Sequence, residues 1–148
     1  MDREKYMRYA LELAQEAADA AEVPVGCIIT DVSGNIIGRG RNRREERSDA
    51  TAHAEIEAIR QACSVLGDWR LEGCTMYVTL EPCPMCTGAI INSRISTLVF
   101  GARDEATGSC GSVIDLFSER YGHSPAVFGG ICAEESAALL KDFFRGKR

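Results

Sequence analysis

Thr79-Leu80-Glu81-Pro82-Cys83-Pro84-Met85-Cys86 is the stretch on which the fold turns. Before it, Cys74, Met76, Val78 and Leu80 alternate, which predicts a strand from Cys74 to Leu80 with these four on one face. Pro82 marks a corner. Pro84 suits a first helical turn, where the N–H it lacks would have no partner anyway, and the helix runs to about Ser93. A strand therefore hands over to a helix whose start carries Cys83 and Cys86, three apart. Residues i and i+3 share a helix face, and the free N–H groups of a helix start favour thiolates. Both sulfurs can reach one ion.

Upstream, Thr51-Ala52-His53-Ala54-Glu55 opens a second predicted helix, roughly Ala52 to Leu66, with Asp49 or Thr51 as its cap and Ile56, Ile59, Ala62 or Cys63, and Leu66 as its apolar stripe. Two converging helix starts would set His53, Cys83 and Cys86 around zinc. That is three protein ligands with the fourth position open, where a closed structural site takes four. The other histidine, His123, reads as part of an exposed turn and is given no role. Glu55 is not needed as a ligand. Two thiolates already cancel the charge of Zn²⁺, so a carboxylate beside it helps by taking a water proton and passing it to an amino-bearing ring. Alone, Cys-x-x-Cys also serves structural zinc or redox chemistry, and His-x-Glu says little. Together, with proline before the first cysteine, they form the zinc-deaminase signature.

The remaining pattern frames this kit. Residues 3–21 predict an amphipathic helix with Tyr6, Ala10, Leu13, Ala17 and Ala21 on its apolar stripe, ended by Pro24. Val25 to Ile29 and Ile36 onward predict a hairpin across Ser33-Gly34-Asn35. In its second strand Gly38, Gly40 and Asn42 share a face, which reads either as room cleared where Asn42 points or as a plain edge strand. Arg43 to Ala50 predicts a polar loop and Leu98 to Phe100 a strand, with a parallel crossover from the strand before it. Ala106 to Ser112 reads as a mobile loop, Val113 to Phe117 as a short helix, Ala126 to Ile131 as a fifth strand and Ala133 to Phe144 as a closing helix. The expected architecture is a three-layer α/β/α domain over 1–148, a five-stranded mixed sheet flanked by helices.

At 148 residues the chain buries roughly 68–70% of its unfolded surface on folding, so it needs no staple. Its seven cysteines are odd in number and irregular in spacing, unlike a disulfide framework. Cys27, Cys63, Cys74 and Cys132 read as small buried residues in a reducing cytoplasm. No apolar run approaches a membrane span, and no signal peptide is expected. The net charge of −5 argues against broad nucleic-acid binding, yet Arg39, Arg41, Arg43, Arg44 and Arg47 cluster within nine positions. They read equally as a solvated loop offset by Glu45 and Glu46 or as a phosphate-contacting patch.

The chain resembles the cytidine-deaminase-like superfamily, and within it the bacterial deaminases that act on tRNA. The resemblance is carried by Val23-Pro24-Val25-Gly26, Thr51 to Glu55, Tyr77 to Cys83, Phe100-Gly101-Ala102-Arg103-Asp104, and Ala138 through Arg145. It implies conversion of the wobble adenosine of a tRNA anticodon stem-loop to inosine by a cytoplasmic homodimer with one Zn²⁺ per subunit. It implies His53, Cys83 and Cys86 as zinc ligands and Glu55 as proton carrier. It implies Asn42 against the base, Asp104 beside the ribose, and Arg44, Arg70 and Phe144 on the anticodon loop. Arg39 to Arg47 with Arg145, Lys147 and Arg148 then become phosphate contacts. Family members often carry lysine where this chain has Ala106. The same signature serves deaminases of a free base or nucleotide, of guanine or cytosine type, and a third reading is a structural-zinc RNA-binding module.

Overall fold

The computed structural model describes residues 2–146; Lys147 and Arg148, read above as phosphate contacts, lie outside them. Strands β1 (Gly26–Thr30), β2 (Ile36–Arg41), β3 (Thr75–Leu80), β4 (Thr97–Ala102) and β5 (Ala126–Phe128) form one sheet in the order β2-β1-β3-β4-β5. β1 runs antiparallel to β2 and β3, while β3, β4 and β5 are parallel. Helices α1 (Arg3–Asp19) and α5 (Ala133–Arg145) cover one face; α3 (Ala54–Leu66) and α4 (Pro84–Ser93) cover the other. The expected mixed three-layer sheet is therefore present.

Alternation along the strands divides the apolar residues between two cores. Cys27, Ile29, Met76, Val78, Leu98 and Phe100 pack toward α3 and α4. Ile28, Tyr77 and Val99 pack toward α1 with Met7 and Ala10. Each large side chain so buried stabilises the fold by about 1.5–3 kcal/mol relative to exposure. Among the described residues no helix is long and apolar enough to cross a membrane.

The helical stripes differ from those expected. In α1 the buried residues are Met7, Ala10, Ala14 and Ala17, and the helix stops at Asp19 rather than Ala21, which has positive φ. Tyr6 is half-buried and donates its hydroxyl to the Gly34 carbonyl at 2.9 Å. In α3 the buried face is Ala54, Ala58 and Ala62, while Leu66 is 44% exposed. The cause lies in β2. A Cβ at Gly38 would collide with the Ala58 carbonyl oxygen, and one at Gly40 with that of Ala54. The two glycines thus clear space for the α3 backbone, not for a ligand beside Asn42.

Other differences follow from contacts distant in sequence. The polar stretch after β2 contains a one-turn helix, α2 (Arg44–Arg47), because the buried Glu22 carboxylate accepts from the Glu45 and Glu46 N–H groups at 3.1 and 2.7 Å. The loop at 106–112 is pinned rather than mobile: Ser109 N–H reaches the Pro82 carbonyl at 2.9 Å, and Glu81 holds Cys110 and Ser112. A 3₁₀ turn at Leu116–Ser118 replaces the short helix expected at Val113 to Phe117. β5 is half the length expected and exposed throughout. Cys27 and Cys74 are buried as expected, but Cys63 and Cys132 are only half-buried. His123 is half-buried, with its Nε2 2.8 Å from the Ile95 carbonyl.

Candidate active site

The α3 and α4 N-termini meet beyond the C-terminal end of β3. His53 and Cys83 are the N-cap residues of these helices, both with extended backbone, so their side chains project off the helix ends and not along the flanks. Asp49 and Thr51 do not cap α3; Asp49 instead accepts from the Thr51 N–H at 2.8 Å. Cys86 follows one turn into α4 and is fully buried.

The donor atoms of His53, Cys83 and Cys86 all lie within 4.8 Å of one another. Cys83 Sγ is 3.7 Å from His53 Nδ1, and Cys86 Sγ is 3.6 Å from the same nitrogen. Tetrahedral zinc, with Zn–S near 2.3 Å and Zn–N near 2.0–2.1 Å, sets sulfur and nitrogen ligands about 3.5–3.6 Å apart. The three donors therefore fit a zinc ion with one tetrahedral position left over, and Nδ1 is the nitrogen turned toward it.

Charge in the cluster is distributed unevenly. A hydrogen bond from the Cys86 thiol is the largest cause pulling Cys83 down to about 4, with His53 and the Cys86 N–H adding to it against burial. Cys86 is driven far above the ordinary thiol range, first by Cys83 and then by burial. The hydrogen bond to Cys83 raises His53. Without a cation the pair thus holds one thiolate and one thiol; a dication would displace the remaining proton.

Glu55 sits in the first turn of α3, 4% exposed. Burial is the main cause lifting its carboxyl to about 7, helped by the negative Cys83 and opposed by its own N–H and by His53. A group that titrates near neutrality in a closed site is suited to carrying a proton in both directions.

His53, Glu55 and Cys83 line a cavity of about 160 Å³. Asn42, Arg44, Glu81 and Asp104 form the rest of its wall. Asn42 is 5% exposed; its Nδ2 donates to the Val23 carbonyl at 3.2 Å and its Oδ1 accepts from the Arg44 N–H at 3.1 Å. The Asp104 carboxylate accepts from the Ala106 and Thr107 N–H groups at 3.0 and 3.2 Å and from the Thr107 hydroxyl at 2.8 Å. An adjoining open cleft shares Val23, Asn42 and Arg44 and adds Phe143 and Phe144. Arg70 is not brought to this site within the chain. It precedes β3, at the other end of the sheet, paired with Asp68 at 3.2 Å and lying over the Trp69 ring.

Two carboxylates escaped the sequence reading. Glu81, 2% exposed, accepts from the N–H groups of Asp104, Cys110 and Ser112 at 3.0, 3.0 and 3.1 Å and from the Ser112 hydroxyl. Burial resists its charge, but these donors outweigh it and hold the carboxyl below its usual range. Glu22 fixes α2, and with it Arg44. A charged residue inside the Leu80-to-Cys86 motif was the available signal for Glu81; Glu22 offered none.

Comparison with known proteins places this geometry. The pattern for the cytidine and deoxycytidylate deaminase zinc-binding region matches residues 1–102. Two Deinococcus proteins named tRNA(Ile)-lysidine synthase are 49% and 48% identical over 96% and 93% of the chain, which spans only 27% and 24% of their length. A tRNA-specific adenosine deaminase of Haemophilus influenzae is 49% identical over 98% of the chain and 84% of its own length. A solved structure from work on A-to-I editing by tRNA:A34 deaminases at the wobble position has TM-score 0.88 at 44% identity, covering 92% of this chain and 99% of that one. A guanine deaminase from Nitrosomonas europaea has TM-score 0.84 at 27% identity, covering 95% and 83%. With both donor-bearing segments inside the matched region, the chain belongs to the family of the cytidine and deoxycytidylate deaminase zinc-binding region.

Proposed function

We propose that the chain is a zinc-dependent hydrolytic deaminase that converts adenosine to inosine at the wobble position of a tRNA anticodon. The observation that carries this is the cavity in which His53, Cys83 and the buried Glu55 share a wall with Asn42, Arg44 and Asp104, with Cys86 behind completing the cluster of zinc-type donors. The choice of RNA over a free base is supported by near-full-length likeness to tRNA-specific adenosine deaminases at 41–49% identity.

His53, Cys83 and Cys86 hold the zinc, which when bound supplies an activated water as nucleophile. Glu55 would take one proton of that water and pass it to the purine ring nitrogen, then take the second and pass it to the departing amine. The C–N bond at the amino-bearing carbon breaks, a C=O bond replaces it, and ammonia leaves. Asn42 orients the base through its remaining amide hydrogen and lone pair. Asp104 and the loop behind it wall the ribose side. Arg44, with Phe143 and Phe144, receives flanking nucleotides of the splayed loop, one by charge and the others by stacking. Arg70 reaches RNA only as part of a homodimer, in which each subunit carries one zinc; the setting is the cytoplasm.

The second reading, a deaminase of free guanine, is favoured by the likeness to the Nitrosomonas enzyme. One assay separates them. Zinc-loaded protein is given an anticodon stem-loop with adenosine at the wobble position and, separately, free guanine, cytosine and nucleosides, and inosine and ammonia are measured. Inosine in the RNA is the expected result. Ammonia from free guanine with the RNA untouched would sink the tRNA reading. Inertness toward all substrates, with zinc held by four protein ligands in X-ray absorption, would leave a structural-zinc module.

A further inference from the structure

The arginine run around α2 does not act as one patch. Arg44 lines the active-site cavity. Arg41 is 12% exposed at its side chain and bound to Glu46 at 2.9 Å. The others face away from the cavity. Arg39 from β2, Arg43 and Arg47 from the α2 segment and Arg60 from α3 wall a separate open cleft of about 460 Å³, with Glu57 and Gln61.

Glu57 is the keystone of this cleft. Its carboxylate takes Arg43 Nε at 3.1 Å and Arg47 Nη1 at 2.8 Å while itself only 12% exposed. Arg43 is held a second time by Glu46 at 2.8 Å. Two guanidinium planes are thereby fixed from beneath. Arg39 and Arg60 form no ion pair among the described residues, and both are exposed. Besides Glu57, the acidic groups bearing on the cleft are Glu46, which is shared with Arg41, and Asp49, which is held mainly by Thr51 and more weakly by Arg60 and Arg47. Four arginines thus stand against three carboxylates, one of them shared with Arg41, in a chain of net charge −5.

We propose that this cleft is a second RNA contact, which holds backbone phosphate of the same molecule whose adenosine enters the cavity. The inference rests on the tRNA reading above. Its lining has no apolar side chain, so an anion fits it and a hydrophobic partner does not. Guanidinium forks match phosphate oxygens two at a time, and preset forks lose little freedom on binding. The one-turn helix α2 connects the sites: Arg44 points to the cavity, while Arg43 before it and Arg47 at its end point to the cleft. Arg43 and Arg44 are adjacent in sequence, so a single RNA strand can run from one site to the other. Phosphate contacts position a nucleic acid without reading its sequence. The cleft would set the register of the stem while the cavity selects the base.

The test uses the Arg39→Ala/Arg60→Ala double variant. Neither residue lines the cavity and neither is ion-paired in the fold, so zinc content and melting temperature serve as controls. Deamination of the anticodon stem-loop is followed from about 50 to 200 mM salt. The expected result is a KM raised about three- to tenfold, kcat within about twofold, and a salt slope of log affinity shallower by about one to two. Arg60→Glu alone should raise KM further than Arg60→Ala. An unchanged KM and slope, with the parent fully active, would overturn the proposal. So would a loss of activity that tracks dissociation of the protein into smaller species by sedimentation, which would make the cleft a protein contact. A parent inactive on every RNA defeats the tRNA reading itself, a different outcome from either.

Discussion

Helix α1 and helices α3 and α4 begin in opposite ways. α1 starts on Asp2, whose carboxylate accepts the Lys5 N–H at 3.0 Å, the ordinary solution for a helix start. α3 and α4 start on His53 and Cys83, and neither helix receives a capping oxygen. The extended N-cap backbone that aims a hydroxyl or carboxylate back at the first turn here aims an imidazole and a thiol at each other. The difference teaches that donor positions in this molecule are cap positions given up. Each surrendered cap costs about 1 kcal/mol, far below what zinc binding returns.

The sharpest break in that comparison comes two residues beyond the His53 cap. Glu55→Gln keeps the size and burial of the side chain but cannot carry the proton. It should lower kcat about 10²–10⁴-fold while zinc stoichiometry, measured by atomic absorption, stays at the parent value. Loss of zinc together with activity would make Glu55 part of the metal cradle instead. Next in size is Gly40→Ala, which pushes α3 off β2 and should cost about 1–3 kcal/mol in urea unfolding, with activity falling because His53 and Glu55 ride on that helix. A neutral outcome would mean that α3 is free to shift. The caps themselves give a paired test. Asp2→Ala should destabilise the protein by about 1 kcal/mol with or without chelator, whereas His53→Asn should stabilise chelator-treated protein by about 0.5–1 kcal/mol and abolish zinc binding. If His53→Asn destabilised metal-free protein, the idea of a surrendered cap would be wrong.

Glu81 extends the comparison to a loop, since its carboxylate caps N–H groups at 104–112 rather than a helix. Its folded pKa lies below the ordinary value, so its contribution is present above the usual carboxylate range and is lost as pH falls through the lower folded value. Parent protein should lose urea resistance below about pH 4.5 more steeply than Glu81→Gln does. Equal slopes would remove Glu81 from that acid limb.

Legibility in the sequence followed the range of the interaction. The convergence of His53, Cys83 and Cys86 was readable because their chemistry is specific and their spacing local. The antiparallel hairpin followed from its turn signal and the parallel pair from the strand-helix-strand crossover. The buried stripe of α3 was misread because hydrophobicity favours Ile56, Ile59 and Leu66, while packing against Gly38 and Gly40 demands Ala54, Ala58 and Ala62. α2 has no apolar period, and its cap, Glu22, is 23 residues before its bonded Glu45. Glu81 binds partners up to 31 residues later, so its loop read as mobile. The arginine run read equally as a solvated loop or a phosphate patch, because its division depends on Glu57, a residue of another helix.

The outer border of the sheet has a consequence for how the protein behaves when crowded. β2 is an edge strand, and edge strands present unpaired N–H groups that recruit other chains. Here the Arg39 N–H is taken by Gln61 Oε1 at 2.6 Å and the Arg41 N–H by Glu57 Oε2 at 3.3 Å, both from α3. The helix that delivers His53 and Glu55 therefore also insulates the sheet against strand addition. Partial melting of α3 would uncover a template for aggregation at the same moment that it dismantled the zinc cradle, so inactive protein of this kind should be found in precipitate before it is found in solution.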